Sequence, residues 1–210
     1  LGLAPTDASM NSIAWVAHAH NVGLHAINAL LVFLVLLRIT NHRGLAFASA
    51  MIFAVHPLNV EAVAWINGRM MLLSTAFGLL AVLAMERWRT SPKLIWMAAA
   101  IAFTALCMMS KVRICLPLLL LIPPLYTRTK PPKRWWAGWG AIVLIAMGFA
   151  LINFNASRTM ISDGVQHLQG SAAARTTLAL GWYLKRLIVP VGLSPFHPAA
   201  DQITWSHPDI

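Results

Sequence analysis

Long uncharged, apolar stretches alternate with short polar ones along most of the chain. The uncharged stretches cover residues 8–37, 44–60, 70–85, 94–110, 114–127 and 135–157, and a shorter one covers 176–184. Most of them approach the roughly 17–25 residues that a membrane-spanning helix needs. Their apolar runs do not alternate with polar residues as a transmembrane β-strand would. The pattern therefore predicts an all-α, polytopic transmembrane helical bundle of about six to seven spans, with residues 1–210 forming a single transmembrane domain.

The order of the predicted elements follows from the same pattern. Residues 1–12 are polar, and their last residues can cap the start of the first span at about residue 13. The next spans are expected at 44–57, 70–86, 94–109, 114–126 and 136–154. A seventh segment begins after Arg175 and meets Lys185 and Arg186 early, so it either ends there, lies along the interface or lines a cavity.

Composition supports the membrane assignment, and the charge distribution gives it an orientation. The chain is 59% hydrophobic and 10% charged, whereas a soluble domain has about 25% charged residues. The net charge of +10 would suit nucleic acid, but the basic residues cluster in every second loop, which is the positive-inside pattern of membrane proteins. These residues are Arg38, Arg43, Arg87, Arg89, Lys93, Arg128, Lys130, Lys133 and Arg134. No nucleic-acid partner is expected, and the stretch His56–Arg69 is predicted on the extracytoplasmic side.

That stretch, His56–Arg69, carries an unusual mixture of a histidine, a proline, an acid, a tryptophan and an arginine between two apolar runs. If Pro57 opens a helical turn, then Glu61, Trp65 and Arg69 lie within an arc of about 80° on one helix face. The backbones of Glu61 and Arg69 would be roughly 12 Å apart, too far for a direct ion pair along the helix. Each side chain is therefore expected to interact with something else.

A polar stripe runs along the first predicted span. His18, Asn21, His25 and Asn28 occupy one side of a helix, about 80° wide. Hydrogen bonding between helices is the favoured interpretation, and a wet cavity that binds a ligand is the alternative. His18 and His25 are two turns apart, about 10 Å, which is too far for one metal ion. No metal site is predicted.

Candidate chemistry is concentrated at the predicted outer edge of the membrane. Glu61 is the acid placed there by the pattern, and it is a weak candidate for a general base or a partner of an arginine. Basic residues at the same predicted surface are Arg69, Lys111, Arg113 and Arg175. Arginine binds phosphate oxygens through its planar fork, so these side chains could hold a lipid-linked phosphate. Binding of ordinary anionic head groups is an equally acceptable explanation.

Several motifs together resemble a known family. They are His18-x-x-Asn21-x-x-x-His25-x-x-Asn28, then His56-Pro-Leu-Asn-Val-Glu61 with Gly68-Arg69, then Ser110-Lys111, and finally Tyr183-Leu184 with Leu193-Ser-Pro-Phe-His-Pro198. In this order they resemble the GT-C glycosyltransferases of membranes. The resemblance is greatest to the protein O-mannosyltransferase-like members that carry tetratricopeptide repeats.

The resemblance implies transfer of a sugar from a polyprenyl-phosphate donor to a hydroxyl group at the external face. It implies that Glu61 and Arg69 belong to the rim of the active site, and that Lys111 and Arg175 belong to the phosphate pocket. The polar stripe and His56 would line the cavity. A divalent metal often assists in complete members of the family, and none is predicted here.

The chain also departs from the family pattern. From the resemblance we expect the sequence to lack the family's first helix and its acidic external loop, and Met70 and Met71 follow Gly68-Arg69 where an aspartate is usual. We therefore expect a truncated or degenerate transferase-like protein that lacks the expected catalytic acids and is inactive as it stands. The alternative is an accessory transmembrane subunit of a larger membrane complex, such as a pigment or energy-transducing complex, with other membrane proteins as partners.

Overall fold

A computed structural model describes residues 7–111 and 131–161, together with single positions between 177 and 187. Every regular element in these residues is a helix, as the sequence predicts. The helices are α1 (Asp7–Thr40), α2 (Arg43–Val55), α3 (Val60–Ala64), α4 (Arg69–Thr90), α5 (Leu94–Ser110) and α6 (Lys133–Ile161), with two 3₁₀ turns at Pro57–Asn59 and Ile66–Gly68. Residues 1–153 form one compact unit and residues 154–210 a second. The packing described below lies within the first unit.

Three described helical stretches are long and apolar enough to cross a membrane. They are Ala14–Thr40, Ile66–Thr90 and Lys133–Ala156. A fourth span is possible if α2 and the segment Pro57–Ala64, which bend by 52° relative to each other, count as one crossing. The apolar helix α5 has 17 residues, at the short end of the roughly 17–25 needed. The described residues therefore make the chain a helical membrane protein with three or four candidate spans.

The first predicted span agrees with the structure, in which the apolar stretch long enough to cross a membrane is Ala14–Thr40. Its helix begins earlier, at Asp7, so the expected cap just before residue 13 is wrong and the polar residues 7–12 are helical. The segment predicted at 44–57 is the 13-residue helix α2, which ends at Val55 because Pro57 cannot donate the next backbone hydrogen bond. The segments predicted at 114–126 and 176–184 lie outside the residues described in continuous stretches.

One stripe of α1 packs against the rest of the unit. Its buried members recur at spacings of three, four or seven residues, which keep them on one helix face. They are Ala17, Asn21, Asn28, Leu31, Val35 and Ile39. The polar pair lies in the N-terminal part of the stripe with Ala17, whereas the C-terminal part consists of Leu31, Val35 and Ile39. The two ends of α1 therefore present different chemistry to their neighbours.

Helices α4 and α5 form a hairpin that α6 covers. The face of α4 toward its neighbours is rich in small side chains, including Ser74, Ala76 and Gly78, which allow the close approach typical of helices in membranes. Helix α6 contributes Trp135 and Ile142 to a core with Met85. The outer faces carry large exposed apolar side chains, as expected of surfaces that contact lipid.

Candidate functional site

The backbone between α2 and α4 is not one helix. After α2 it passes through the 3₁₀ turn at Pro57–Asn59, the single turn of α3 and the second 3₁₀ turn at Ile66–Gly68. Pro57 does open a helical turn, as the sequence predicts. Trp65, however, is extended, with φ −78° and ψ 128°. We call residues 56–68 the broken segment.

The break frees backbone carbonyl groups, and nearby side chains pair with them. Pro57 has no N–H to donate to the carbonyl of Phe53, four residues earlier. The side-chain amide of Asn59 donates to that carbonyl instead, at 2.6 Å. The N–H of Leu58 also leaves the helical pattern and donates to Nδ1 of His56, at 3.2 Å.

Helix α1 completes this pairing from outside the segment. Leu58 would donate to the carbonyl of Ala54 in a continuous helix, and Nε2 of His25 donates there in its place, at 3.0 Å. The amide of Asn21 donates to the carbonyls of Val63 and Trp65, at 3.2 and 2.7 Å. These hydrogen bonds join α1 to the carbonyls around the break, of which that of Trp65 also accepts the N–H of Gly68. A backbone group left unpaired in a membrane costs several kcal/mol.

Asn28 extends the same contact to α4, where its amide donates to the carbonyl of Leu72 at 3.0 Å. Three members of the predicted polar stripe therefore bind backbone carbonyls of neighbouring segments, which is the interpretation favoured from the sequence. His18 is exposed and does not take part. Oδ1 of Asn21, Oδ1 of Asn28 and Nδ1 of His25 are buried with no hydrogen-bond partner in the described chain, so the stripe keeps acceptors for another group.

Gly68 ends the broken segment in a position that excludes a side chain. A Cβ atom there would lie 2.8 Å from the carbonyl carbon of Ala62 and 3.0 Å from its Cα atom. Real Cβ atoms are almost never closer than 3.0 Å to such atoms. The glycine allows α3 and the start of α4 to approach closely, and this contact determines where Arg69 lies.

The prediction that Glu61, Trp65 and Arg69 share one helix face is wrong. Helix α3 ends at Ala64 and α4 begins at Arg69, so no continuous helix joins the three residues. The physical reason is the extended backbone at Trp65, whose carbonyl is paired by Asn21 and by the N–H of Gly68 at 2.9 Å. Glu61 is exposed on α3.

Arg69 is the first residue of α4 and is partly buried. Its Nε atom is buried and has no hydrogen-bond partner in the described chain. An arginine fork at the positive end of a 22-residue helix is suited to an anion, because the helix dipole and the guanidinium group both favour negative charge. A buried donor without a partner costs about 1–3 kcal/mol, so an anionic ligand here would relieve a real penalty.

Lys111 lies at the same end of the α4–α5 hairpin as Arg69. It follows the last residue of α5, and its backbone carbonyl accepts a hydrogen bond from Oγ of Ser74 at 3.2 Å. Ser74 is only five residues beyond Arg69 on α4, roughly 7.5 Å along the helix. The predicted phosphate ligands Arg113 and Arg175 lie outside the described residues.

Two other expectations concern histidine and metal. His56 caps the first 3₁₀ turn through its ring nitrogen, which gives it a structural contact beside any role in a cavity. In the described ranges, no three His, Cys, Asp or Glu side chains come together as possible metal ligands.

Three structural roles were not predicted from the sequence, namely those of Asn59, Gly68 and Ser74. Asn59 could have been found, because an amide two residues after a proline is well placed to pair with the carbonyl that the proline leaves free. Gly68 and Ser74 gave no comparable signal, since their partners Ala62 and Lys111 are fixed by the tertiary structure.

Comparisons with known proteins give a partial similarity. No protein-family model matches the chain, and no solved structure matches it. Protein O-mannosyl-transferase TMTC1 of Mus musculus is 45% identical over 71 residues, which are 33% of this chain and 8% of that protein. The protein of the same name from Homo sapiens is 44% identical over 71 residues, with the same shares. The match thus spans a small part of both relatives, and it supports a relationship to a membrane glycosyltransferase that extends over a third of this chain.

Proposed function

We propose that this chain is a GT-C-like membrane protein whose broken segment and α4 hold the phosphate of a polyprenyl-phosphate sugar donor. The observation that carries the proposal is the buried, unpartnered Nε of Arg69 at the first residue of α4. The similarity to a protein O-mannosyl-transferase over 71 residues supports it. Lys111, at the same end of the hairpin, is proposed to add a second positive charge, and Arg113 and Arg175 are proposed to complete the pocket.

Such a site must stabilise the phosphate that leaves the donor and must activate the hydroxyl group of the acceptor. Transfer breaks the bond between the sugar and the phosphate, and the phosphate leaves with an additional negative charge. Arginine and lysine stabilise that charge as it develops. The acceptor hydroxyl must lose its proton to a base as it attacks the sugar carbon. Glu61 is proposed for that role, as an exposed carboxylate of the segment that precedes Arg69.

We further propose that the chain by itself does not complete the transfer. The proposed site contains four basic side chains and a single carboxylate, so it is better suited to holding the donor phosphate than to activating the acceptor. The other acid with a described side chain, Glu86, is bound to Arg89 at the opposite end of α4. Donor binding without turnover is therefore the expected behaviour of the purified chain.

Binding of a polyprenyl phosphate to the purified full chain tests the proposal. Arg69→Ala should weaken binding about tenfold to a hundredfold, since a hydrogen bond to a charged group contributes about 1.5–3 kcal/mol. Arg69→Lys should weaken it less, and Arg175→Ala should weaken it as well. Glu61→Gln should leave binding unchanged. Arg134→Gln, an exposed arginine of α6, is the control.

Three results would contradict the proposal. The first is equal affinity for Arg69→Ala and Arg134→Gln, which would show that the phosphate does not contact Arg69. The second is sugar transfer by the purified chain, which would refute the proposed lack of turnover. The third is co-isolation from native membranes in a fixed ratio with another complex and without polyprenyl phosphate, which would favour an accessory subunit.

The proposal also includes an orientation and a span count. We propose that the broken segment faces the extracytoplasmic side and that the whole chain crosses the membrane six or seven times. Single cysteines in a background without Cys107 and Cys115 test the orientation. An impermeant thiol reagent added to intact cells should label Asn67→Cys and should label Lys93→Cys only after permeabilisation. The reverse pattern would refute the proposed sidedness.

A further inference from the structure

The described part of the chain contains a pocket at the opposite end of the α4–α5 hairpin from Arg69. It lies where the end of α1 meets the turn between α4 and α5, and its volume is about 420 Å³. This size is within the range of small-molecule sites. The pocket contains none of the residues proposed for donor binding.

The chemistry of the pocket changes along its depth. Leu80 lines it seven residues before Arg87 on α4, and Phe103 lines it seven residues after Trp96 on α5, so both lie about 10 Å deeper along their helices. Nearest the turn it is lined by Arg87 and Trp96, and the end of α1 contributes Arg38. The pocket is therefore apolar inside and basic at its mouth.

The charge at the mouth is positive. Glu86 also lines the pocket, but its carboxylate binds Arg89 through two hydrogen bonds of 2.5 and 2.8 Å. The guanidinium carbon of Arg87 lies 5.8 Å from the ring centre of Trp96, a cation–π arrangement that leaves the fork's N–H groups able to bind an anion. Arg38 is exposed and has no ion pair in the described ranges. With Glu86 already neutralised by Arg89, Arg38 and Arg87 provide two net positive charges.

We propose that this pocket binds an anionic phospholipid, with its phosphate between Arg38 and Arg87 and one acyl chain between α1, α4 and α5. Trp96 supports the assignment, because tryptophan favours the level of the head groups in a bilayer. The basic residues of this end follow the positive-inside pattern, and the leaflet on that side carries anionic lipids. The apolar inner wall fits a hydrocarbon chain and gives a free phosphate ion nothing to bind. This site is independent of the proposed donor site.

Native mass spectrometry of the full chain in mild detergent, titrated with phosphatidylglycerol, tests the proposal. The double variant Arg38→Gln/Arg87→Gln should bind phosphatidylglycerol at least about tenfold more weakly, since a direct hydrogen bond to a charged group contributes about 1.5–3 kcal/mol and 1.4 kcal/mol corresponds to a factor of ten. The matched control Arg43→Gln/Lys93→Gln removes the same charge from the same end without touching the pocket. It should change the affinity about twofold at most.

Two further probes identify the ligand class. Phosphatidylcholine should bind the parent chain more weakly than phosphatidylglycerol, because its head group carries no net charge. Inorganic phosphate in large excess should not displace phosphatidylglycerol. The proposal is overturned if both double variants lose affinity equally, if the two lipids bind equally well, or if inorganic phosphate displaces the lipid, which would indicate a site for the free ion.

Discussion

Asn21 provides the sharpest test of how the broken segment is held. Its side chain is fully buried, with 0% exposure, and its amide donates to the carbonyls of Val63 and Trp65. Asn21→Leu keeps the approximate volume and removes both donors. The carbonyl of Trp65 still receives the N–H of Gly68, whereas the carbonyl of Val63 loses its side-chain partner.

The magnitude follows from the number of hydrogen bonds lost. Hydrogen bonds inside membrane proteins contribute about 0.6 kcal/mol on average and about 1.7 kcal/mol at most. Two of them predict a loss of about 1–3 kcal/mol in the free energy of unfolding. For a chain of this size, 1 kcal/mol lowers Tm by about 2–4 °C, so the expected decrease is about 2–12 °C.

Thiol accessibility offers a convenient assay of unfolding in detergent. The chain has two cysteines, and Cys115→Ser leaves only Cys107, which is 1% exposed and therefore reacts with a thiol dye when the bundle opens. Asn67→Leu is the matched control, because Asn67 is exposed in the same segment; it should change stability by about 0.5 kcal/mol at most. Equal Tm values for Asn21→Leu and Asn67→Leu would refute the assigned role of the buried amide.

Two further predictions use the same assay. Gly68→Ala should lower the free energy of unfolding by about 1–3 kcal/mol, since its Cβ would overlap the backbone of Ala62. The control is Gly140→Ala, which should raise the free energy of unfolding by up to about 1 kcal/mol because nothing lies within 4 Å of the added Cβ. Equal effects of the two substitutions would refute the close approach at Gly68. Trp135→Ala should cost about 3–5 kcal/mol because that side chain is 1% exposed. Trp136, which is 49% exposed, has ring contacts with Trp135 and Trp139, so Trp136→Ala should cost less, about 1–3 kcal/mol. A larger loss for Trp136→Ala than for Trp135→Ala would contradict the packing of α6.

The sequence alone was sufficient to identify helices in a membrane and to locate most of their ends. The low charge content and the uncharged stretches require helices, because an unpaired backbone is too costly in lipid. The proline at position 57 also marks the end of α2 without any knowledge of the fold, since it lacks an N–H group. The helical start at Asp7 was missed, because a polar sequence does not by itself exclude a helix.

The interactions of the polar stripe could be narrowed down but not determined from the sequence. Its spacing places Asn21, His25 and Asn28 on one side of α1, and a membrane environment requires that side to meet polar groups. The spacing gives no information about which groups these are. The carbonyls that the three side chains bind lie 29 to 44 positions away in the chain.

The shape of the broken segment was decided by tertiary structure. Local spacing favours one helix through Glu61, Trp65 and Arg69, and an isolated helix would satisfy its own backbone that way. In the folded chain, Asn21 pairs with the carbonyls of the extended turn and Gly68 admits the backbone of Ala62. The sequence thus determined that the chain is a helical membrane protein. The start of α4 at Arg69 was decided only by the tertiary structure. The cost of breaking the helix is offset by the hydrogen bonds from Asn21 and by the close approach of Gly68 to Ala62, and the local sequence pattern gives no information about these contacts.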